Sequence, residues 1–417
     1  MFLILTDHKK YVIFSYLTIG ANILTGFILF PLILKNIGLE ALGVFGLLFS
    51  AKSIIEIGIG WLSGSVTKNL IKYKYLKIDI FTLSFIINIL YGFFSFLCIY
   101  LYGYFFKQEY LLTFIYFGIF SLISFSIVPF YEILISELKQ YQTALFRFLQ
   151  QFFFMISSIG MFFIIEVKSL ADIFLMLLAS AIIIFIIAIL YLLINKKFKF
   201  SIKNISKKML NRLILNDGVK YFFNGMSTIL LLQIDVMLID YLYGSQSAGI
   251  YLILWKIPNT IIMLGWRISD PLQATIAKDI KTKKNEIKLK FLIFEKKMIV
   301  LSCFLAFCYI IMGENILEIW LGSENIPNIE YMYIVPAIVI IFSIVQRVYL
   351  SANYYTQGIE VITKLQFFEI IFKILFIIFG FKYFHELSPV MGWFIAFLFT
   401  IYFYRKNSLK VFTQCKD

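Results

Sequence analysis

At 417 residues, of which 61% are hydrophobic and only 15% charged, the chain is far more apolar than a soluble domain, whose apolar share lies near ~45–50%. A net charge of +14 would suit nucleic acid, but the Lys and Arg residues stand in short clusters between apolar runs, the distribution that orients helices in a bilayer. Composition therefore points away from nucleic acid and predicts an integral membrane protein.

Taking ~20 apolar residues as one helical crossing, the sequence predicts spans near 11 to 34, 40 to 65, 78 to 104, 110 to 135, 143 to 165 and 170 to 194. Six more follow near 218 to 242, 247 to 272, 291 to 313, 329 to 352, 361 to 383 and 388 to 404. The expected fold is an all-α polytopic membrane protein of twelve transmembrane helices. Residues 1–195 form one six-helix bundle, 196–216 a basic cytoplasmic linker, and 217–417 a second six-helix bundle with a short basic tail. The N-terminus, MFLILTDHKK, is apolar before it is basic, the wrong order for a cleavable signal peptide, so the first span is expected to be retained.

Most Lys and Arg residues fall on one side of this scheme, whereas the other side holds only Lys35, Lys107, Lys168 and Lys382. That asymmetry places both termini in the cytoplasm. The basic segment Lys196 to Arg212 is expected along the anionic inner leaflet. Trp320, in the acidic outer loop, and Trp393, near a helix end, suit interfacial anchoring. Pro129, Pro258 and Pro336 are expected to interrupt spans 4, 8 and 10, each freeing a backbone carbonyl.

The turn GSQSAGIY (Gly244 to Tyr251) echoes GLEALGVF (Gly38 to Phe45) at one constant offset, with Gly244 over Gly38 and Gly249 over Gly43. The same offset lays Thr18 and Asn22 over Asn224 and Thr228. Six crossings per half make the copies parallel, an architecture of transporters whose site lies at mid-depth between the bundles.

Ionised groups in hydrocarbon-length segments are functional suspects, because each lipid-facing charge at mid-depth costs ~2.5–3.5 kcal/mol on insertion scales. Residues 4, 7 or 11 apart share a helix face. Lys256, Thr260, Arg267 and Asp270 then form one stripe; Asn224, Thr228 and Asp235 a second, with Lys220 at its edge; Lys52, Glu56 and Ser63 a third; Thr18, Asn22 and Thr25 a fourth. Lys256 lies about 14 Å from its outer turn at 1.5 Å per residue, near mid-depth. It has no carboxylate at i±3 or i±4, so a ligand or a carboxylate on another helix is implied. Asp235 is either that carboxylate or a proton site, and Asp240 follows it on the same span. Lys52 with Glu56, and Glu369 with Lys373, stand at i,i+4 and either neutralise each other along one helix or face a ligand. Lys220 and Arg267 lie nearer the cytoplasmic side, within reach of the interface by snorkelling.

Only two histidines and four cysteines occur, none in metal-ligand or disulfide spacing, and no phosphate-binding glycine loop is present, so no cofactor and no metal site are expected. Nothing marks an enzyme: no acid-base or metal group sits at an aqueous face.

The stretch FPLILKNIGLEALGVFGLLFSAKSIIEIGIG resembles the first-repeat opening of Wzx-type polysaccharide flippases, in the multidrug/oligosaccharidyl-lipid/polysaccharide exporter superfamily. YFFNGMSTILLLQIDVMLIDYLYGSQSAGIYLILWKIPNTI resembles the second-repeat opening, and LEIWLGSENIP the short loop before span 10. The resemblance implies an O-antigen-like flippase of the bacterial inner membrane. Such a protein would move a polyprenyl-pyrophosphate-linked oligosaccharide between leaflets by alternating access, alongside a polysaccharide polymerase and chain-length machinery. It also implies a cationic cavity, for which Lys52 and Lys256 are the matching residues, with Arg267, Lys220, Asn22, Asn224 and Thr228 completing the candidate substrate site. Asp235, Glu56 and Asp240 are the candidate coupling-ion residues. The alternatives are a multidrug or organic-cation exporter and a membrane polysaccharide polymerase.

Overall fold

The protein is described here by a computed structural model covering residues 7–164, 167, 169–194, 201, 218–279, 284–327, 329, 331–353 and 359–414. Among these residues the chain is helical throughout, with no strand. Hydrocarbon offers the backbone no hydrogen-bond partner, so a spanning segment of this composition satisfies its own N–H and C=O groups as a helix.

The helices are α1 (Asp7–Asn36), α2 (Leu39–Lys72), α3 (Lys77–Phe106), α4 (Leu111–Ser126), α5 (Val128–Ser136), α6 (Gln140–Ile164) and α7 (Leu170–Ile194). After them come α8 (Gly218–Tyr243), α9 (Ser245–Asp279), α10 (Lys284–Leu321), α11 (Ile334–Asn353), α12 (Ile359–Leu375) and α13 (Ser388–Gln414). All twelve expected spans are occupied by helix, and the chain is a multi-pass membrane protein. Nine helical stretches among the described residues are long and apolar enough to cross a bilayer. The exceptions are α2, which carries Lys52 and Glu56; α12, whose regular helix stops after 17 residues; and α13.

Two compact units divide the chain: Met1–Ala41 with Leu48–Gly225, and Leu42–Leu47 with Met226–Asp417. In the first, α1 packs along α6, with Gln151 donating to Thr25 Oγ1 at 3.0 Å, and α4 lies between α3 and α7. Its core gathers Val66, Phe81, Phe130, Leu134, Phe146 and Ile184. In the second, α11 is the central helix, packed by α9, α10 and α13, and α12 lies against α13. The short segment Leu42–Leu47 belongs to this unit, where Gly43 packs on the backbone of Ser245 and Gly249. Gly38 and Gly244 open their helices at φ +117° and +91°, a region side-chain-bearing residues rarely adopt.

Of the three prolines, only Pro129 breaks its span. The helix steps at Ile127 between α4 and α5, leaving Pro129 in the first turn of α5, where a missing N–H is tolerated. Pro336 sits equally harmlessly in the first turn of α11, and Pro258 lies inside an unbroken α9. Helix α13 continues through Gln414, with Val411 and Phe412 buried and Phe412 against Phe291. The basic linker 196–216 lies outside the described residues apart from Ser201.

Gly392 sets the α12–α13 distance. A Cβ there would meet the Phe372 carbonyl oxygen at 2.8 Å and Lys373 Cα at 2.9 Å, backbone atoms that cannot swing aside. Gly392→Val is expected to destabilise by ~1–3 kcal/mol, as overpacking does. A lowered thermal midpoint of the purified protein checks this, and an unchanged midpoint contradicts it.

Candidate functional site

The second unit holds a buried polar network built from five of its helices. Asp235 on α8 forms an ion pair with Lys373 on α12 at 2.6 Å, both side chains 2% exposed. Tyr251 on α9 donates its hydroxyl to the same Asp235 oxygen at 2.6 Å. Lys373 also donates to the Leu231 carbonyl at 2.6 Å, and its ammonium stands 4.7 Å from the ring centroid of Trp393 on α13. The lysine thus has a carboxylate, a carbonyl and a π-face around it, which together replace the water it has lost.

One turn before Lys373, Glu369 is fully buried but takes a different set of partners. Its carboxylate accepts from Gln346 on α11 at 3.0 and 3.1 Å, from Thr400 at 2.8 Å and from Trp393 Nε1 at 3.3 Å, the last two on α13. The i,i+4 spacing of Glu369 and Lys373 therefore does not produce a pair along one helix. Each side chain reaches a neighbouring helix, and the partner of Asp235 is Lys373 rather than Lys256. Trp393, expected at the interface, is 1% exposed and belongs to this network.

The α8–α12 seam continues in both directions. Gln366 accepts from Ser227 at 2.7 Å and from Thr228 at 3.4 Å. Beyond α12, the chain passes through a π-helical turn at Phe376–Gly380. Tyr243 donates to the Ile377 carbonyl there at 2.7 Å, and its ring stacks on Phe381. A π-turn shifts the backbone ladder by one residue and leaves a carbonyl for an outside donor.

Asp240, another residue expected to hold a coupling ion, is buried at the end of α8, where Ser245 donates to it at 2.5 Å, fastening the turn around Gly244. Lys256 is partly buried in the first half of α9, its carbonyl accepting from Thr260 at 2.8 Å. Arg267 lies exposed further along that helix. The side chains of Lys220, Asn224 and Asp270 lie outside the described residues.

In the first unit, Lys52 and Glu56 pair along α2, and the Lys52 ammonium stands 5.3 Å from the Phe120 ring centroid. Asn22 is exposed on α1. A buried carboxyl that the sequence stripes did not include, Glu132 on α5, accepts from Ser84 on α3 at 2.6 Å. No group of three or more His, Cys, Asp or Glu residues able to hold a metal occurs among the described residues.

No protein-family model matches the sequence, and no curated protein matches it. Solved structures do. An inward-facing multidrug resistance MATE family transporter of the MOP superfamily superposes with a TM-score of 0.70 at 13% identity, covering 96% of this chain and 100% of its own. An outward-facing structure of such a transporter gives a TM-score of 0.62 at 14% identity over 99% and 98%. A MOP superfamily transporter from Pyrococcus furiosus, described as having a binding pocket of reverse polarity that suggests a different function, gives 0.62 at 13% over 97% and 96%. The chain therefore has the fold of these transporters along essentially its whole length.

Removing one partner of a buried ion pair costs ~3–5 kcal/mol because the other charge stays buried, whereas replacing both is far milder. Asp235→Asn and Lys373→Met are each expected to lower thermal stability strongly, and the double variant to recover much of that loss. Strictly additive losses in a double-mutant cycle would count against the pair.

Proposed function

We propose that this protein moves a polyprenyl-pyrophosphate-linked oligosaccharide from the inner to the outer leaflet of the bacterial inner membrane by alternating access. The carrying observation is a fold shared, over nearly its full length, with transporters solved both inward- and outward-facing. The cargo is argued from charge. A pyrophosphate needs cations to cross a low-dielectric layer, where Coulomb terms strengthen, and lysine binds phosphate as a point charge. Lys256 sits in the first half of α9 with Thr260 one turn away, and Lys52 sits in the first half of α2. Asn22, Asn224 and Thr228 offer amide and hydroxyl groups of the kind that sugars accept, with Lys220 and Arg267 as further phosphate-side cations. The lipid tail stays in the bilayer, and no bond is made or broken. A polysaccharide polymerase and chain-length machinery would act on the delivered unit.

A second reading, export of an organic cation, is favoured by the multidrug transporters among the fold relatives and by the buried carboxyls Glu132 and Glu369. It predicts altered sensitivity to cationic dyes on expression. The flippase reading predicts instead that a deletion strain accumulates the lipid-linked unit at the inner leaflet. Normal outward display without the protein would overturn it.

Ion coupling belongs to the same proposal. Of its three candidate acids, Glu56 and Asp235 each face a lysine, and Asp240 faces the Ser245 hydroxyl. A coupling cation at Asp235 would have to compete with the Lys373 ammonium.

Lys256→Ala is expected to reduce export of the lipid-linked unit at least tenfold while leaving membrane insertion intact, the loss of one charge-assisted phosphate contact of ~1.5–3 kcal/mol. Unchanged export in a cell-surface polysaccharide assay would make Lys256 a structural residue.

A further inference from the structure

Glu132 is 1% exposed, and its surroundings are neutral. Ser84 Oγ donates to one carboxyl oxygen at 2.6 Å, while Asn88 Nδ2 donates to Ser84 Oγ at 3.2 Å and to the Ser84 carbonyl at 2.8 Å. The Ser63 hydroxyl of α2 approaches the same carboxyl. The second oxygen, Oε1, has no hydrogen-bond partner, and neither has the buried Asn88 Oδ1. Among the described residues Glu132 forms no ion pair.

Several charged and titratable groups of the helices around it have partners of their own. On α3, Lys77 pairs with Glu137 at 2.5 Å, Tyr91 donates to the Ile55 carbonyl at 2.8 Å, and Asp79 lies buried in the first turn. On α6, the Arg147 guanidinium stands 5.2 Å from the ring centroid of Tyr131. On α2, Lys52 holds Glu56, and on α7, Tyr191 donates to Gln142 at 2.9 Å. Tyr116 is the titratable residue of α4 and Glu137 that of the end of α5.

An ionised carboxyl so placed has neither solvent nor counter-charge, the costly state for a buried acid. A single proton removes the charge and turns the open oxygen into a donor. A hard metal cation fits less well, because it would need roughly six or more oxygen ligands, and Ser84 already gives its hydroxyl hydrogen to the carboxyl.

We infer that Glu132, with Ser63, Ser84 and Asn88 around it, is a proton-binding site of the first unit, placed to govern how tightly α5 is held to α3 and α2. Glu132 sits one turn after the step at Ile127, where Phe130 and Tyr131 share the Ile127 carbonyl at 3.1 and 3.4 Å and Pro129 contributes no N–H. Ionised, the carboxylate grips Ser84 through a charge-assisted bond, roughly twice as strong as a neutral one. Protonated, it holds only weakly, and α5 is freed to swing on the α4–α5 joint while the Lys77–Glu137 pair keeps its far end attached. The proton site stands on this geometry alone; that its proton drives export rests on the transport reading above.

The test is pH-difference infrared spectroscopy of the full-length protein in lipid nanodiscs, following the carbonyl band of protonated carboxyls. The wild type is expected to show a band that Glu132→Gln removes, Glu132→Asp retains at a shifted position, and Asp235→Asn leaves in place. Exchange of sodium for potassium should not alter it. A difference spectrum unchanged by Glu132→Gln, or a Glu132 signal driven by sodium rather than by pH, overturns the inference. If the band behaves as expected but reconstituted wild-type protein moves no lipid-linked oligosaccharide, the proton site stands and the transport reading fails.

Discussion

A charge inside a hydrocarbon-length helix must be answered by another group of the protein, and the Asp235–Lys373 pair is where the second unit meets that demand. Lys373 is 1% exposed, so the task falls to the groups packed around it. Its carboxylate, carbonyl and aromatic partners come from α8 and α13, which makes the lysine a tie between helices rather than an ornament of its own. Tyr251 adds α9 to the same carboxylate. Gly392 permits the arrangement, since α13 comes against the backbone of Phe372 and Lys373 at the level of the pair. Charge, ring and glycine are thus one constraint, and α8, α9, α12 and α13 take their places around it.

The helical architecture was legible because hydropathy and backbone satisfaction act together: a run of apolar residues long enough to span has no alternative but helix. The echo of Gly38 and Gly43 in Gly244 and Gly249 was legible for a backbone reason. Two of these glycines carry positive φ, and Gly43 accepts another backbone where a Cβ would collide. The buried network was less legible. Four-residue spacing told that Glu369 and Lys373 share a face, but a lysine stem of four carbons reaches a second helix as readily as the next turn, and only the packing decides between them. Trp393 misled for a related reason. Tryptophan near a helix end reads as an interfacial anchor, yet its N–H can serve equally well as a donor to a buried carboxylate such as Glu369. Pro336 carried no mark of its tolerance in the sequence, because that depends on where the helix begins.

The candidate substrate residues divide along the same line. Lys52, an expected phosphate ligand, is held by Glu56 one turn on, so any anion must draw it from a carboxylate that is 43% exposed and able to rotate away. Asp235 is committed more deeply, since its partner is tethered within the same unit and shielded from water. A pair with one partner open in this way is cheaper to break than a fully buried one. An anion could therefore draw on Lys52 far more readily than on Lys373, whose charge is built into the scaffold.

Glu132 and Glu369 sharpen that distinction, because they share residue type and burial and differ in donors. Glu369 has both oxygens filled by Gln346, Thr400 and Trp393, so its ionised form is satisfied by neutral groups and its removal would strand three donors on two helices. Glu132 has only the hydroxyls of Ser84 and Ser63 at its carboxyl, and its Oε1 has no hydrogen-bond partner. A carboxyl held by three donors on two neighbouring helices works as a node of the fold. A half-served one, buried beside the step between α4 and α5, is left with a choice of states, and a choice of states is what a carboxyl needs before it can do work in a moving protein.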